Sequence, residues 1–227
     1  MNKKQTSKQH VRTIVMIGLF AALSYVVMLL IHFPVSFLTL DVKDAVITLC
    51  GLTFGPSAAL FVSVFVPFLE MITVSHTGIY GFVMNMLGSA CFSVTAALIY
   101  RYKKSFVGAI LGLISGICAM TAMMMLFNLI VTPWYMHVEV AAVARMIPTL
   151  LLPFNVVKAV LNAALVFLLY KPVSAVLQRT GVIPPSKATM RLDLRTVLAS
   201  VVALMLVVAS ILVIFFVLGG EFRWGIA

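Results

Sequence analysis

Six long runs of apolar residues dominate this sequence and limit the folds open to it. They extend over about 11–32, 56–74, 78–100, 105–133, 148–171 and 195–218. A bilayer core about 30 Å thick is crossed by about 20 helical residues, and an α-helix satisfies its backbone polar groups where water is absent. The sequence therefore predicts six membrane-spanning helices.

A seventh apolar run, at about 43–55, is shorter and ends at Gly55-Pro56. It is too short to cross the membrane upright. Since unpaired backbone groups are costly in lipid, we expect this run to tilt, or to be shielded partly by protein beside a re-entrant loop formed by residues 33–42. Together the runs predict an all-α membrane protein with seven hydrophobic elements.

The composition supports a membrane protein and disfavours several other classes. Hydrophobic residues make up 63% of the 227 residues and charged residues 10%, against about 25% charged residues in soluble domains. So few charged side chains cannot cover the surface of a water-soluble protein. The composition therefore disfavours a globular enzyme, a disordered regulator, a disulfide-rich scaffold and a nucleic-acid-binding protein, despite the net charge of +10.

The sequence contains none of the common motifs for catalysis or metal binding. The four histidines lack the spacing of metal ligands, and the three cysteines each lie in an apolar run without a C-x-x-C pair. There is no phosphate-binding Walker loop, no H-E-x-x-H and no G-x-S-x-G. We therefore expect no catalytic residue, no bound metal and no cofactor.

The basic residues predict the orientation of the chain, because cytoplasmic loops carry an excess of lysine and arginine. With the N-terminus in the cytoplasm, the cytoplasmic group is Lys3, Lys4, Lys8, Arg12, Arg101, Lys103, Lys104, Lys171, Arg179, Lys187, Arg191 and Arg195. The outer group is Lys43, Arg145 and Arg223, and Lys158 lies within the membrane. This unequal division predicts a multi-pass plasma-membrane protein with a cytoplasmic N-terminus.

Three regions are predicted along the chain. Residues 1–178 form a membrane-embedded binding domain, and residues 179–194 form a cytoplasmic linker that contains Pro184-Pro185. Residues 195–227 form an additional transmembrane helix with a short tail. Because this last helix carries few polar residues, we expect it to anchor or pack rather than to bind a ligand.

Lys158 is the clearest candidate for a functional residue, since a lysine near the centre of a membrane helix costs on the order of 2.5–3.5 kcal/mol. Asn155 precedes it by three residues and Asn162 follows it by four, so the three share a helical face. Lys158 can reach outward to lipid headgroups while the asparagines link helices. Alternatively, the three can line a solvated site that faces inward. We favour the solvated site, because three polar side chains on one helical face all need hydrogen-bonding partners on the same side.

Several other polar residues fall in the outer half of the membrane. Asn128 lies near the outer end of its helix, Glu70 follows Pro67, and Asn85 lies about two turns into the next helix. Each can also serve in packing or face the membrane interface. Trp134 and Tyr135 are typical of an interfacial aromatic belt, although they can also cover a planar ligand. The shared depth of these residues indicates a pocket that is open to the outside.

A face of small residues on the first helix favours close approach of another helix. Gly18 and Ala22 are four residues apart, and Ala21 lies alongside. The approaching helix can belong to the same chain or to a separate membrane subunit.

Several stretches of the sequence resemble the substrate-capture (S) subunits of energy-coupling-factor vitamin importers, and among them the subunits that bind riboflavin. These stretches are residues 38–47, 51–56, 127–128, 132–136 and 153–158. Their order and spacing extend the resemblance over about residues 11–178.

The resemblance implies a six-helix fold, here with one additional C-terminal transmembrane helix, and an outward-facing pocket under a mobile first loop. It also implies that the protein captures a vitamin for ATP-driven uptake, and riboflavin is the first candidate for that vitamin. The implied partners, apart from membrane lipid, are a transmembrane coupling protein and two cytoplasmic ATPases. The candidate ligand-binding residues are Asn128, Asn155, Lys158, Asn85, Glu70, Thr39, Leu40, Asp41 and Trp134. The candidate residues for contact with the coupling protein are Gly18, Ala21 and Ala22.

Two features depart from the pattern of the relatives. Many of them carry a basic residue and an asparagine near the outer half of the third helix, where this chain has Phe65-Val-Pro-Phe-Leu-Glu70. The helix at 195–218 is also additional to a six-helix subunit. The alternatives are a subunit of the same fold for another vitamin or small molecule, a stand-alone secondary transporter, and a structural membrane protein.

Overall fold

A computed structural model of the chain describes residues 3–183 and 194–220. The helices are α1 (Lys3–Leu30), α2 (Lys43–Phe54), α3 (Pro56–Thr73), α4 (Gly78–Tyr102), α5 (Phe106–Met136), α6 (Val140–Met146), α7 (Leu152–Arg179) and α8 (Leu194–Phe216). Two short strands, β1 (His32–Val35) and β2 (Leu38–Asp41), lie between α1 and α2.

Within the described residues, six helical segments are long and apolar enough to cross a membrane. They are α1 from Gln9, α3, α4, α5, the joined segment Val140–Arg179, and α8 from Thr196. These segments correspond to the six predicted spans. Together with the shorter α2 they confirm an all-α membrane protein, with a six-helix bundle followed by an additional C-terminal helix.

The fifth long run begins earlier than the sequence predicted, at Val140 instead of about residue 148. A π-helical turn, Ile147–Leu151, joins α6 to α7. Pro148 lies in this turn and Pro153 lies in the first turn of α7. Proline has no backbone N–H to donate, so the regular hydrogen-bond pattern of a helix is interrupted at this junction.

Where the sequence predicted a re-entrant loop, the structure has a β-hairpin. The two antiparallel strands pair His32 with Asp41 and Val35 with Leu38, and Ser36 in the turn has a φ of 56°. The strands satisfy each other's backbone groups, which a loop in that position would leave unpaired. Because side chains alternate across a strand, one face of the hairpin carries Phe33, Val35, Leu38 and Leu40, and the other carries His32, Pro34, Thr39 and Asp41.

Helix α2 lies inside the bundle. Its residues 43–52 are buried, and it contacts α1, α3, α4 and α7. This enclosure agrees with the expectation that a run too short to span the membrane is shielded by protein.

Glycines allow α5 to approach the backbone of α4. A Cβ atom added at Gly112 would lie 2.8 Å from the backbone oxygen of Ala96, and one added at Gly116 would lie 2.8 Å from that of Phe92. Small residues at helix interfaces permit such close contact in membrane proteins. The α4–α5 pair therefore forms a tightly packed wall of the bundle.

Helix α8 packs along α7. Residues 184–193 of the predicted linker and residues 221–227 of the predicted tail lie outside the described residues. The boundaries of the three predicted regions remain predictions.

Candidate functional site

A cavity of about 430 Å³ lies at the end of the bundle that carries the hairpin. Its wall is built from the hairpin and from parts of α1, α2, α3, α4, α5 and α7. Six of the predicted ligand residues line it, namely Thr39, Glu70, Asn85, Asn128, Asn155 and Lys158. The structure therefore brings together polar residues from four helices and the hairpin.

Lys158 takes part in a network of buried polar groups. Its Nζ donates a hydrogen bond to Asp41 Oδ2 at 2.9 Å and lies 3.5 Å from the backbone oxygen of Thr39. One turn further along α7, the amide nitrogen of Asn162 donates to the backbone oxygen of Asp41 at 3.1 Å. The amide oxygen of Asn162 accepts from the backbone N–H of Ala45 at 2.8 Å. Side chains of α7 thus hold both the end of the hairpin and the start of α2.

Lys43 is a second buried ammonium group, and its residue is 0% exposed. Its Nζ lies 2.6 Å from Glu70 Oε2 and 3.2 Å from Asp41 Oδ2. The other oxygen of Glu70 accepts a hydrogen bond from Asn85 Nδ2 at 3.0 Å. The sequence had placed Lys43 among the outer loop charges, and that placement is corrected here. Two carboxylates take the place of water around its ammonium group, and this pairing allows the charged group to be buried.

Asp44 brings a third carboxylate to this cluster and lines the cavity. It is buried, and its Oδ1 accepts a hydrogen bond from the hydroxyl of Ser89. The cluster therefore contains three carboxyl groups, on Asp41, Asp44 and Glu70, and two ammonium groups, on Lys43 and Lys158. Buried charges are tolerated when they are paired and hydrogen-bonded, so this cluster depends on all of its members.

Two buried asparagines line the cavity from α5 and α7. Asn128 donates to the backbone oxygen of Met124 at 2.7 Å and accepts from the hydroxyl of Thr132 at 2.8 Å. Asn155 donates to the backbone oxygen of Leu151 at 2.8 Å. In the part of the chain that the structure describes, no group donates to the amide oxygen of Asn155. This oxygen is therefore available to accept a hydrogen bond from a ligand.

Three of the predicted ligand residues do not line the cavity. Leu40 is buried in an apolar cluster behind the hairpin, and Asp41 reaches the cavity only through its contact with Lys158. Trp134 is 72% exposed. Tyr135, the other aromatic residue predicted to cover a ligand, lines the cavity, with its ring 6.0 Å from that of Tyr80. Consecutive residues of a helix point about 100° apart, so Tyr135 borders the cavity while its neighbour Trp134 does not.

The small-residue face of α1 divides into an exposed and a buried part. Gly18 and Ala22 are exposed, and a Cβ atom added at Gly18 would meet no other atom within 4 Å. Ala21 is 2% exposed and packs in the core of the bundle. Ala21 is therefore removed from the predicted partner surface, because it already contacts its own chain.

Sequence reasoning overlooked Lys43 and Asp44 as members of the site. The sequence does contain a signal for both, since Asp41-Val-Lys-Asp44 introduces three charges directly before an apolar run. Among the described residues, no group of three or more His, Cys, Asp or Glu side chains could hold a metal ion.

Comparisons with known proteins all indicate the same family. The model of the family described as "ECF transporter, substrate-specific component" matches residues 12–170. The riboflavin transporter RibU of Staphylococcus aureus (strain TCH60) is 28% identical over 187 residues, which cover 78% of this chain and 98% of that protein. The riboflavin transporter FmnP of Bacillus subtilis (strain 168) is 26% identical over 178 residues, which cover 71% of this chain and 93% of that protein.

A solved structure of the S component of a bacterial ECF transporter is similar in fold. It superimposes with a TM-score of 0.64 at 29% identity, over 75% of this chain and 99% of that chain. Helix α8 lies beyond the region that the family model matches.

Proposed function

The chain belongs to the family of ECF transporter substrate-specific components, and on that premise we propose that it captures riboflavin outside the cell for ATP-driven uptake. The observation that carries this proposal is the cavity of about 430 Å³, whose wall includes Asn128, Asn155 and Lys158. The similarity to two riboflavin transporters favours riboflavin over other vitamins.

The size and chemistry of the cavity suit a flavin. Cavities that bind small organic ligands enclose about 300–1,000 Å³ and combine apolar walls with a few polar groups. A flavin has a flat ring with carbonyl and imide groups and a hydroxylated tail. Lys158 can donate to a carbonyl or hydroxyl oxygen, and the amide oxygen of Asn155 can accept from an N–H or O–H group. Tyr80 and Tyr135 can cover the apolar faces of the ring.

The role of the chain in this proposal is binding rather than catalysis. The free energy for transport would come from two cytoplasmic ATPases through a transmembrane coupling protein. The exposed Gly18 and Ala22 on α1 offer a flat surface to that protein, since small residues allow close helix contact in membranes. The N-terminus would lie in the cytoplasm, with the hairpin end of the bundle facing outward.

The hairpin would act as the gate of the cavity. Thr39 lines the cavity, and Asp41 joins the hairpin to Lys158 on α7. A ligand entering from outside would have to displace the hairpin, and would then be enclosed when the contact between Asp41 and Lys158 forms again.

A second candidate function is capture of a different vitamin or small molecule by the same fold. It is favoured by the third helix, where the stretch Phe65-Val-Pro-Phe-Leu-Glu70 has an acidic residue and lacks the basic residue and asparagine expected from the resemblance. A carboxylate in the wall accepts hydrogen bonds from ligand donors, whereas a basic group donates them. The identity of this one side chain therefore bears directly on which ligand fits.

Equilibrium titration of the purified protein tests the proposal. We expect riboflavin fluorescence to be quenched with one site per chain, and a yellow chromophore to co-purify from cells grown with riboflavin. Failure of riboflavin to bind, together with tight binding of another vitamin, would support the second candidate. Uptake that proceeds in cells lacking the coupling protein and ATPases would instead support a stand-alone transporter.

A further inference from the structure

The hairpin has two chemically different faces. His32, Pro34 and Thr39 line the cavity, and Asp41 on the same face binds Lys158. The opposite face carries Val35 and Leu40, both 0% exposed, with Phe33 and Leu38 beside them, although Leu38 at the turn also borders the cavity. A two-stranded hairpin is at best marginally stable by itself, so its position depends on what packs against this apolar face.

The C-terminal end of α8 packs against that face. Ile214 is fully buried in one apolar cluster with Val35, Leu40 and Val42, and with Phe154 and Leu161 of α7. The ring of Phe215 meets that of Phe33 edge-on, with centroids 5.5 Å apart. Earlier along α8, Val207 packs against the same apolar cluster, whereas Leu204, Val208 and Leu212 are exposed. Ile214 and Phe215, near the C-terminal end of α8, therefore provide its contact with the hairpin.

The chain beyond α8 folds back over this contact. Gly219 has a φ of 64°, and the backbone N–H of Gly220 donates to the backbone oxygen of Ile214 at 2.9 Å. A Cβ atom added at Gly220 would lie 2.6 Å from Ile214 Cγ2 and 3.4 Å from Val35 Cγ2. The two glycines allow the end of α8 to close against the strand, and Leu218 joins the same apolar cluster.

We propose that α8 braces the gate hairpin, with Ile214 and Phe215 as positioning residues that hold the hairpin over the cavity. The brace acts on the apolar face of the hairpin, while ligand and Lys158 act on the polar face. Weakening the brace increases the frequency with which the hairpin opens, so ligand enters and leaves faster. Helix α8 lies outside the region that the family model matches, and this role gives the additional helix a function in ligand exchange.

Hydrogen–deuterium exchange of the full-length protein in nanodiscs, without ligand, tests the brace directly. For Ile214→Ala we expect backbone amides of residues 32–41 to exchange about tenfold faster, as for a packing loss of about 1.4 kcal/mol. Leu212→Ala, which truncates an exposed side chain of the same helix, is the matched control and should leave the exchange unchanged. Ile214→Val keeps most of the contact and should exchange close to the wild-type rate.

The location of the change distinguishes a brace from a general stabiliser. Faster exchange confined to the hairpin and the last turn of α8 supports the proposal. Equal acceleration in α4 and α5, or no difference between Ile214→Ala and Leu212→Ala, overturns it. If Ile214→Ala does not fold, Phe215→Ala is compared with Leu212→Ala in the same way.

A ligand measurement extends the test and rests on the proposed function. We expect riboflavin to dissociate about tenfold faster from Ile214→Ala than from Leu212→Ala. A wild-type protein that binds no riboflavin contradicts the proposed function and leaves the exchange experiment to decide on the brace. Wild-type binding with identical dissociation rates in both variants overturns the role of α8 in ligand exchange.

Discussion

The ammonium group of Lys158 lies 2.9 Å from the carboxylate of Asp41, and this ion pair joins α7 to the last residue of the β-hairpin. Burial alone would raise the pKa of Asp41, but the neighbouring Lys158 and Lys43 lower it to about 2. The carboxylate therefore stays ionised at physiological pH. A ligand that binds Lys158 would thus contact a side chain that is already linked to the hairpin.

Replacing Lys158 should weaken riboflavin binding. Lys158→Ala removes a charged donor from the cavity wall, and hydrogen bonds to charged groups contribute about 1.5–3 kcal/mol, so we expect about a 10- to 100-fold loss of affinity. Lys171→Ala, in the same helix but outside this cavity, is the control and should bind as the wild type does. Fluorescence titration measures both. Equal affinities in the two variants would remove Lys158 from the binding site.

Substitutions of two asparagines on α7 should have different effects, one on riboflavin affinity and the other on protein stability. Asn155 lines the cavity with an amide oxygen that accepts no hydrogen bond from the described residues, whereas Asn162 holds the backbone at Asp41 and Ala45. Asn155→Ala should therefore lower riboflavin affinity about tenfold and change the melting temperature little. Asn162→Ala leaves buried backbone groups unpaired and should lower the free energy of unfolding by about 1–3 kcal/mol. The reverse pattern, in thermal unfolding and titration, would contradict these assignments.

The buried pair of Lys43 and Glu70 predicts a compensating double substitution. Lys43→Met leaves three carboxyl groups facing the single ammonium group of Lys158, and breaking a buried ion pair costs about 3–5 kcal/mol. We expect a strongly lowered melting temperature in detergent. Adding Glu70→Gln removes the unpaired carboxylate and should recover at least half of the loss. Lys104→Met, at an exposed lysine, should have no effect. A double variant less stable than Lys43→Met would show that the two side chains do not stabilise each other.

The exposed small residues of α1 should serve coupling and not ligand binding. Gly18→Trp places a bulky ring on a surface that is open in the isolated chain, so riboflavin affinity should stay unchanged. Co-purification with the coupling protein and riboflavin uptake should both fall at least tenfold, because a close helix contact is blocked. Leu204→Trp, on the exposed surface of α8, is the control for a bulky residue facing lipid. Full uptake by Gly18→Trp would exclude this surface as the docking site.

Much of the fold follows from the sequence because membrane helices are specified locally. Each spanning run is apolar over the length that a bilayer requires, so residue composition alone locates the helices. The stripe of Asn155, Lys158 and Asn162 was also predictable, because spacings of three and four place residues on one helical face. These features depend on neighbours within a single helix.

The parts that the sequence did not predict depend on contacts between distant segments. The strand His32–Val35 contains a proline and no strict alternation, so its pairing is determined by the packing of α7 and α8 against it. The burial of Lys43 depends on Glu70, which lies 27 residues away. Which of the two aromatic residues, Trp134 or Tyr135, faces the cavity depends on the rotation of α5 about its axis, and packing against the other helices sets that rotation.

A structure of the protein determined in the presence of riboflavin tests the central claim most directly. The account predicts density for a flavin in the cavity beneath the hairpin, with polar contacts to Asn128, Asn155 and Lys158 and a tyrosine beside the ring. An empty cavity at saturating riboflavin, or a flavin bound at another surface of the bundle, would contradict it.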